Sequence, residues 1–400
     1  MELPNWGIKL IRRLEEKGFE AYAVGGCVRD MLLGKKPEDY DFAVSALPDE
    51  TKQALNGVPV FDTGLRHGTV TAVVDGHAAE ITTYRTESGY SDFRRPDKVG
   101  FTRSLSEDLS RRDFTVNAMA FHPERGLVDC FGGKEDLKNR ILKCVGEPER
   151  RFREDALRIL RCLRFSSALE FAIEEDTRQA LLKHRELLKK IAPERLQAEF
   201  SKLILGEWAE QVLTEYLPVF QVFLVRRSGP RPPECLELAA GGKKKLRLAG
   251  VFSGCTPDET ARALERLRYD GKTIRTVTTL ERYRQVPLET DRRQARKLVF
   301  LLGMETAEEL LRFREEPELL KWLEVIRGQG LCCSLSQLSV NGEDLIRLGY
   351  PEGKGIGKAL NRLLQLVLDE TLENQKELLL KKRKKLDEVG LLAAEIVKIV

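Results

Sequence analysis

Over the first 140 residues, short apolar runs alternate with polar positions and are punctuated by glycine, whereas the remainder of the chain repeats charged and apolar residues at helical spacing. This change of period predicts an α+β head, a mixed β-sheet with helices, followed by an all-α remainder. Within the head, Thr69–Val74 and residues 78–84 read as strands on either side of Asp75-Gly76, the two-residue signal of a β-hairpin. A short apolar strand also runs into Gly25-Gly26, with a helical pattern from Val28 onward. Residues 85–110, with Gly89, Pro96 and Gly100 among polar side chains, read as a long mobile loop, and loops of that length inside a compact domain usually carry function. Residues 227–233, with Pro230, Pro232 and Pro233, read as a linker or kink. No internal repeat or low-complexity tract is visible.

Composition narrows the class of protein. At about 150 residues per domain, 400 residues suggest two to three domains, enough to bury a core without disulfides or metal clips. Hydrophobic residues at 42% with charged residues at 32% describe a soluble globular chain. No uncharged apolar run nears the roughly 18 residues a spanning helix needs, so no membrane partner is expected, and the start has no secretory pattern. The eight cysteines form no CxxC pair and the four histidines share no ligand spacing. Structural zinc, a disulfide framework and a histidine-based metal hydrolase are therefore disfavoured, and a reduced cytoplasmic compartment is the default.

The net charge is only +4, from 67 Lys+Arg against 63 Asp+Glu, but it is unevenly spread. Residues 241–300 hold 15 basic and 7 acidic side chains, and residues 381–385 form a second basic run. Such patches are candidate contacts to a phosphate backbone, or else solvated helix faces.

The informative chemistry lies in Tyr22-Ala-Val-Gly-Gly-Cys-Val-Arg-Asp30 followed by Asp39-Tyr40-Asp41. A strand entering Gly-Gly and then a helix brings bare backbone N–H groups close to a helix start, where phosphate binds favourably. Asp39 and Asp41 stand two apart in strand-like text, so both side chains point to one face. Paired carboxylates of this kind repel each other unless cations sit between them. Hard oxygen ligands suit Mg²⁺, and two such ions about 3.5–4 Å apart serve in-line displacement at phosphorus.

These residues resemble the signature of the polymerase-β-like nucleotidyltransferases, specifically the bacterial and eukaryotic class (class II) of CCA-adding tRNA nucleotidyltransferases and the related bacterial poly(A) polymerases. The resemblance runs through the whole chain. Leu109-Ser-Arg-Arg-Asp-Phe-Thr-Val-Asn-Ala-Met-Ala120 is similar to the family's ribose-selecting motif, and Asp129-Cys-Phe-Gly-Gly-Lys-Glu-Asp-Leu137 to its head–neck junction. Glu154-Asp-Ala-Leu-Arg-Ile-Leu-Arg161 is similar to the base-reading motif and Pro193-Glu-Arg-Leu-Gln-Ala-Glu199 to a helix-stabilising segment. Val340-Asn-Gly-Glu-Asp-Leu-Ile346 and Gly353-Lys-Gly-Ile-Gly357 are similar to the tail of compact bacterial members. One departure is Cys130, where proline is common.

The resemblance implies a nucleotidyltransferase head over residues 1–140, a helical neck over 141–205, a body over 206–300 and a tail over 301–400. It implies that Asp39 and Asp41 hold Mg²⁺, and that Gly26, Arg29 and Arg112 contact the nucleotide. Glu80, on the returning hairpin strand, is a candidate third acidic group or base for the primer hydroxyl, or an ordinary hairpin glutamate. Asp155 and Arg158, three apart in strongly helical text, are implied readers of the cytosine or adenine edge, with Arg161 and Arg164 continuing the same row.

The implied activity is template-independent addition of CCA to tRNA from CTP and ATP, with the acceptor arm and 3′ end of tRNA as partner. An intact loop after the Thr-Tyr-Arg segment, including residues 93–98, favours the complete CCA sequence over CC alone. Partial activity (A-adding, CC-adding or poly(A) polymerase), a small-molecule nucleotidyltransferase and a catalytically silent RNA-binding protein stay open, as does a homodimer.

Overall fold

The structure, a computed structural model, describes residues 1–89, 98–224, 244–284, 286–350 and 353–381. The chain divides into two compact units, Met1–Cys255 with Ala261–Asp270, and Thr256–Thr260 with Gly271–Val400.

The first unit begins with an α+β layer whose strands are β1 (Ala21–Val24), β2 (Asp41–Val44), β3 (Val60–Gly64), β4 (Thr69–Val74), β5 (His77–Thr83), β6 (Arg85–Ser88), β7 (Lys98–Phe101), β8 (Met119–His122) and β9 (Gly126–Asp129). Seven of them form one mixed sheet in the order β3-β4-β5-β2-β1-β8-β9. Only the β2–β5 neighbours run parallel; the others are antiparallel. The central strand β1 is buried along its whole length and β2 exposes only Asp41, so the sheet's middle reads as continuous apolar text. The expected hairpin is present. Asp75 and Gly76 join β4 to β5 with φ of 49° and 81°, the left-handed pair that a two-residue turn requires and that Asp-Gly tolerates.

The helix Asn5–Glu15 lays Leu10, Ile11 and Leu14 into this core, each buried side chain worth roughly 1.5–3 kcal/mol of transfer free energy. Tyr22, Val24, Ala43, Tyr84, Leu109 and Ala120 form a further buried cluster.

Residues 85–110 are not a loop where they are described. Thr86 and Glu87 pair with Gly100 and Val99 in a β6–β7 ribbon, and the helix Leu105–Ser110 follows, capped by the Ser104 hydroxyl. Strand alternation from Arg85 and the Ser104 cap outweigh the glycine and proline punctuation that suggested a loop. Residues 90–97, the linker at 227–233 and the basic run beyond Lys381 lie outside the described residues.

Helices Pro148–Glu154, Leu157–Leu169, Glu175–His184 and Pro193–Leu203 continue the unit. Leu157–Leu169 buries Ile159, Leu160, Leu163 and Phe165 and packs on Pro193–Leu203, which buries Leu196, Phe200 and Leu203. The fourth motif is not one unbroken helix. Asp155 interrupts it with φ −135° and ψ 105°, because its carboxylate accepts the Leu157 N–H at 3.0 Å and starts a new helix instead of continuing the old one. The second unit is helical where described, with a core of Leu338, Val340, Leu363, Leu364, Val367 and Leu368 and a capping box between Asn341 and Asp344.

Candidate active site

The β1–β2 register sets Val24 beside Asp41, so the chain leaving β1 at Gly25 passes the entry to β2. Gly25 has φ 76° and ψ −129°, a conformation that favours glycine, and a Cβ there would lie 2.9 Å from Arg112 Nη1 and push that guanidinium aside. The helix after the turn is Gly26–Leu32, two residues earlier than the pattern from Val28 suggests. Asp41 is the first residue of β2 and Asp39 precedes the strand, so the two carboxylates share the strand's mouth and not a common strand face. Tyr40, between them, is held edge-on by Trp6 at 5.5 Å.

These groups open into a cleft of about 1030 Å³. It is lined by Gly26, Arg29, Asp39, Asp41, Arg112, Asp155, Arg158, Arg161 and Arg164, which brings together nine of the ten residues singled out from the sequence. Glu80 is the tenth. It does not line the cleft; it is the β5 register partner of Asp41. Burial raises the Asp41 carboxyl above its ordinary value, Glu80 and Asp39 push it the same way, and Arg112 opposes them. A patch of negative charge that resists ionisation is one a cation relieves.

Among the described residues no three Asp, Glu, His or Cys side chains form a ready-made metal cage. Magnesium does not need one, since it is commonly held by one or two carboxylates together with substrate phosphates and water. The donor set of Asp39 and Asp41 fits that habit.

Every arginine carried over from the sequence is already held. Arg29 donates to Asn117 Oδ1 at 2.8 Å, pairs with Asp30 at 2.8 Å and lies over the Phe165 ring. Arg112 donates to the buried Asp108 at 3.2 Å, and the same carboxylate takes Arg111 at 2.7 Å. Burial alone would raise Asp108, yet Arg111 and Arg112 hold it below the usual carboxylate range. Arg158 donates to Glu154 Oε2 and to the Arg111 carbonyl, both at 3.0 Å. Arg161 donates to Asp113 Oδ2 at 2.9 and 2.5 Å, and Arg164 sits 3.2 Å from Glu199 and 4.1 Å from the Phe165 ring centroid. Asp155 is gripped by Arg195 at 3.1 Å.

The partners Asp108, Asp113, Glu154, Arg195 and Glu199 escaped sequence reasoning as individual residues although each lies within or beside a quoted motif. The signal for the four carboxylates was an opposite charge near the arginine row, and for Arg195 a cation in the fifth motif; which carboxylate meets which arginine is not written in spacing.

Three family models match: "Poly A polymerase head domain" over residues 21–143, "Probable RNA and SrmB- binding site of polymerase A" over 170–216, and "tRNA nucleotidyltransferase domain 2 putative" over 248–382. A CCA-adding enzyme of Lactobacillus helveticus is 36% identical over 418 aligned positions, covering 96% of this chain and 99% of the relative. The chain belongs to the CCA-adding enzyme family. A Lactobacillus delbrueckii CCA-adding enzyme is 53% identical over 216 residues, an alignment spanning 54% of each chain. A solved structure, the Bacillus stearothermophilus CCA-adding enzyme in complex with CTP, matches with a TM-score of 0.78 and 31% identity over 97% of this chain and all of that one. Members of the CCA-adding family generally use divalent metals, and no helix among the described residues is long and apolar enough to cross a membrane.

Proposed function

We propose that this enzyme adds cytidine, cytidine and adenosine to the 3′ end of tRNA from CTP and ATP in the cytoplasm, with Mg²⁺ as its metal. Residues 1–140 act as the head, 141–205 as the base-reading neck, and 206–300 and 301–400 as the body and tail that grip tRNA. The reading is carried by one observation: Asp39 and Asp41, the Gly25-Gly26 turn with Arg29 and Arg112, and the Asp155–Arg158 pair all face one cleft.

Asp39 and Asp41 would hold Mg²⁺, which when bound would supply Lewis-acid activation of the primer hydroxyl and neutralise charge on the triphosphate. Arg112, fixed by Asp108 and pressed against Gly25, and Arg29, fixed by Asn117, point preorganised guanidinium donors at the triphosphate. Asp155 accepts a hydrogen bond from the amino group of cytosine or adenine, and Arg158 donates to the ring nitrogen beside it, so a protein pair replaces a template base. The 3′-hydroxyl gives up its proton to water and its oxygen attacks the α-phosphorus, the bond to the bridging oxygen breaks, and pyrophosphate leaves with that electron pair. Glu80 acts through its charge on Asp41 and not as a contact to substrate.

Incubating the protein with tRNA that lacks its 3′ end, Mg²⁺ and each labelled nucleotide, singly and then in pairs, tests the proposal. Addition of two cytidines from CTP, and of the terminal adenosine only when CTP and ATP are both present, is expected. Asp41→Asn should abolish addition while tRNA affinity stays nearly intact. Addition of A or of CC alone, a growing poly(A) tail, or binding without addition would each replace the proposal with a different activity.

A further inference from the structure

Asp155 sits at a break between two helices, where its side chain is free to rotate unless something fixes it. Two groups do. Asp155 Oδ1 accepts the Leu157 N–H at 3.0 Å and Arg195 Nη1 at 3.5 Å, and Oδ2 accepts Arg195 Nη2 at 3.1 Å. Arg195 and Asp155 both line the cleft and are only partly exposed, at 25% and 18% of their side-chain area. A carboxylate has about four acceptor positions, so three used within the chain leave one, on Oδ2, for a ligand. Arg158 is fixed separately by Glu154 and by the Arg111 carbonyl.

We infer that Arg195 is a specificity-positioning residue: by gripping both oxygens of Asp155 it keeps that carboxylate turned so that its one open acceptor faces the incoming base. The inference rests on the proposed base-reading role of Asp155 and deepens it. Cytosine and adenine offer an amino donor at that place; uracil and guanine offer a carbonyl oxygen. An immobilised acceptor facing a carbonyl oxygen has no hydrogen bond to make and meets like partial charge. A carboxylate freed from Arg195 can turn away, and that escape removes the penalty. Sites that leave buried polar groups unpaired against a wrong ligand discriminate by up to about 10⁴–10⁵-fold, so loss of this rigidity should show in the selectivity ratio before it shows in the rate with the right nucleotide. A role confined to joining Pro193–Leu203 to the neighbouring helix would instead weaken every nucleotide alike.

The test is kcat/KM of the full chain for CTP and UTP on tRNA lacking CCA, and for ATP and GTP on tRNA ending in CC, with tRNA affinity measured alongside. Arg195→Ala should lower the CTP/UTP and ATP/GTP ratios about ten-fold or more at unchanged tRNA affinity, Arg195→Lys should recover part of them, and Asp155→Ala combined with Arg195→Ala should be no worse than Asp155→Ala alone. If Arg195→Ala does not fold, Arg195→Gln, which keeps the stem and loses the charge, carries the same expectation. A uniform fall with all four nucleotides and preserved ratios overturns the inference. Should Asp155→Ala itself leave both ratios unchanged, the base-reading assignment falls and the inference with it; altered ratios in Asp155→Ala with none in the Arg195 variants remove the inference alone.

Discussion

Among single residues, Asp113 shows most directly how charge is organised around the cleft. Its burial would raise its pKa, but Arg161, which donates twice to Oδ2, and Asn117 hold it at about 2. A carboxyl depressed in the folded state stabilises the fold at pH values above its unfolded pKa of 3.8, and that contribution disappears as the pH falls towards 2. Wild type should therefore lose about 2 kcal/mol more than Asp113→Asn between pH 5 and pH 2, measured by denaturant unfolding at each pH. Equal pH slopes for the two proteins would show that the Arg161 pair contributes nothing. Asp113 lay in plain view inside the second motif. Its partner did not, because Arg161 is 48 positions away and comes from a different element. The same holds for Asp155, whose neighbours in sequence suggested a helical face and whose conformation is an extended break.

At the level of elements, the hairpin and the Gly25 turn follow from local chemistry, since left-handed backbone falls to Gly and to the Asp-Gly pair wherever a chain must reverse in two residues. The third motif is a turn of another kind. Asp129 caps it by accepting the N–H groups of Gly133 and Lys134, both at 2.9 Å, and so begins the helix Gly133–Lys138. The cap seats that helix so closely on residues 115–117 that a Cβ on Gly133 would stand 2.2 Å from the Thr115 carbonyl oxygen, a backbone atom that cannot swing aside. Gly133→Ala should destabilise the first unit by about 1–3 kcal/mol or more, read as a lower thermal midpoint in calorimetry. An unchanged midpoint would mean that the helix shifts at no cost. The loop expectation for residues 85–110 failed at this same level where those residues are described. Gly100 there sits inside a paired ribbon, and composition does not distinguish a punctuated ribbon from a loop.

Over the whole molecule, the net charge of +4 understates the polarity of the chain, because residues 241–300 carry an excess of basic side chains. If these meet the backbone of tRNA, affinity should fall steeply with salt, with a log–log slope of several units, each neutralised phosphate contributing roughly 0.7–0.9. Titrations between about 50 and 200 mM salt measure it, and a slope near zero would contradict backbone docking. The sequence by itself determined the β4–β5 hairpin, the glycine turn after β1, the α+β to all-α transition, and the residue types at the site, because period, turn chemistry and charge are properties of a few neighbouring residues. Tertiary structure alone decided three things: that the mouth of β2 and the arginine-bearing helix face one cleft, that Glu80 stands beside Asp41 and outside that cleft, and which carboxylate fixes each arginine. Those outcomes depend on strand order and on pairs such as Arg161 with Asp113 and Arg195 with Asp155, contacts between segments too far apart in the chain for any local pattern to record.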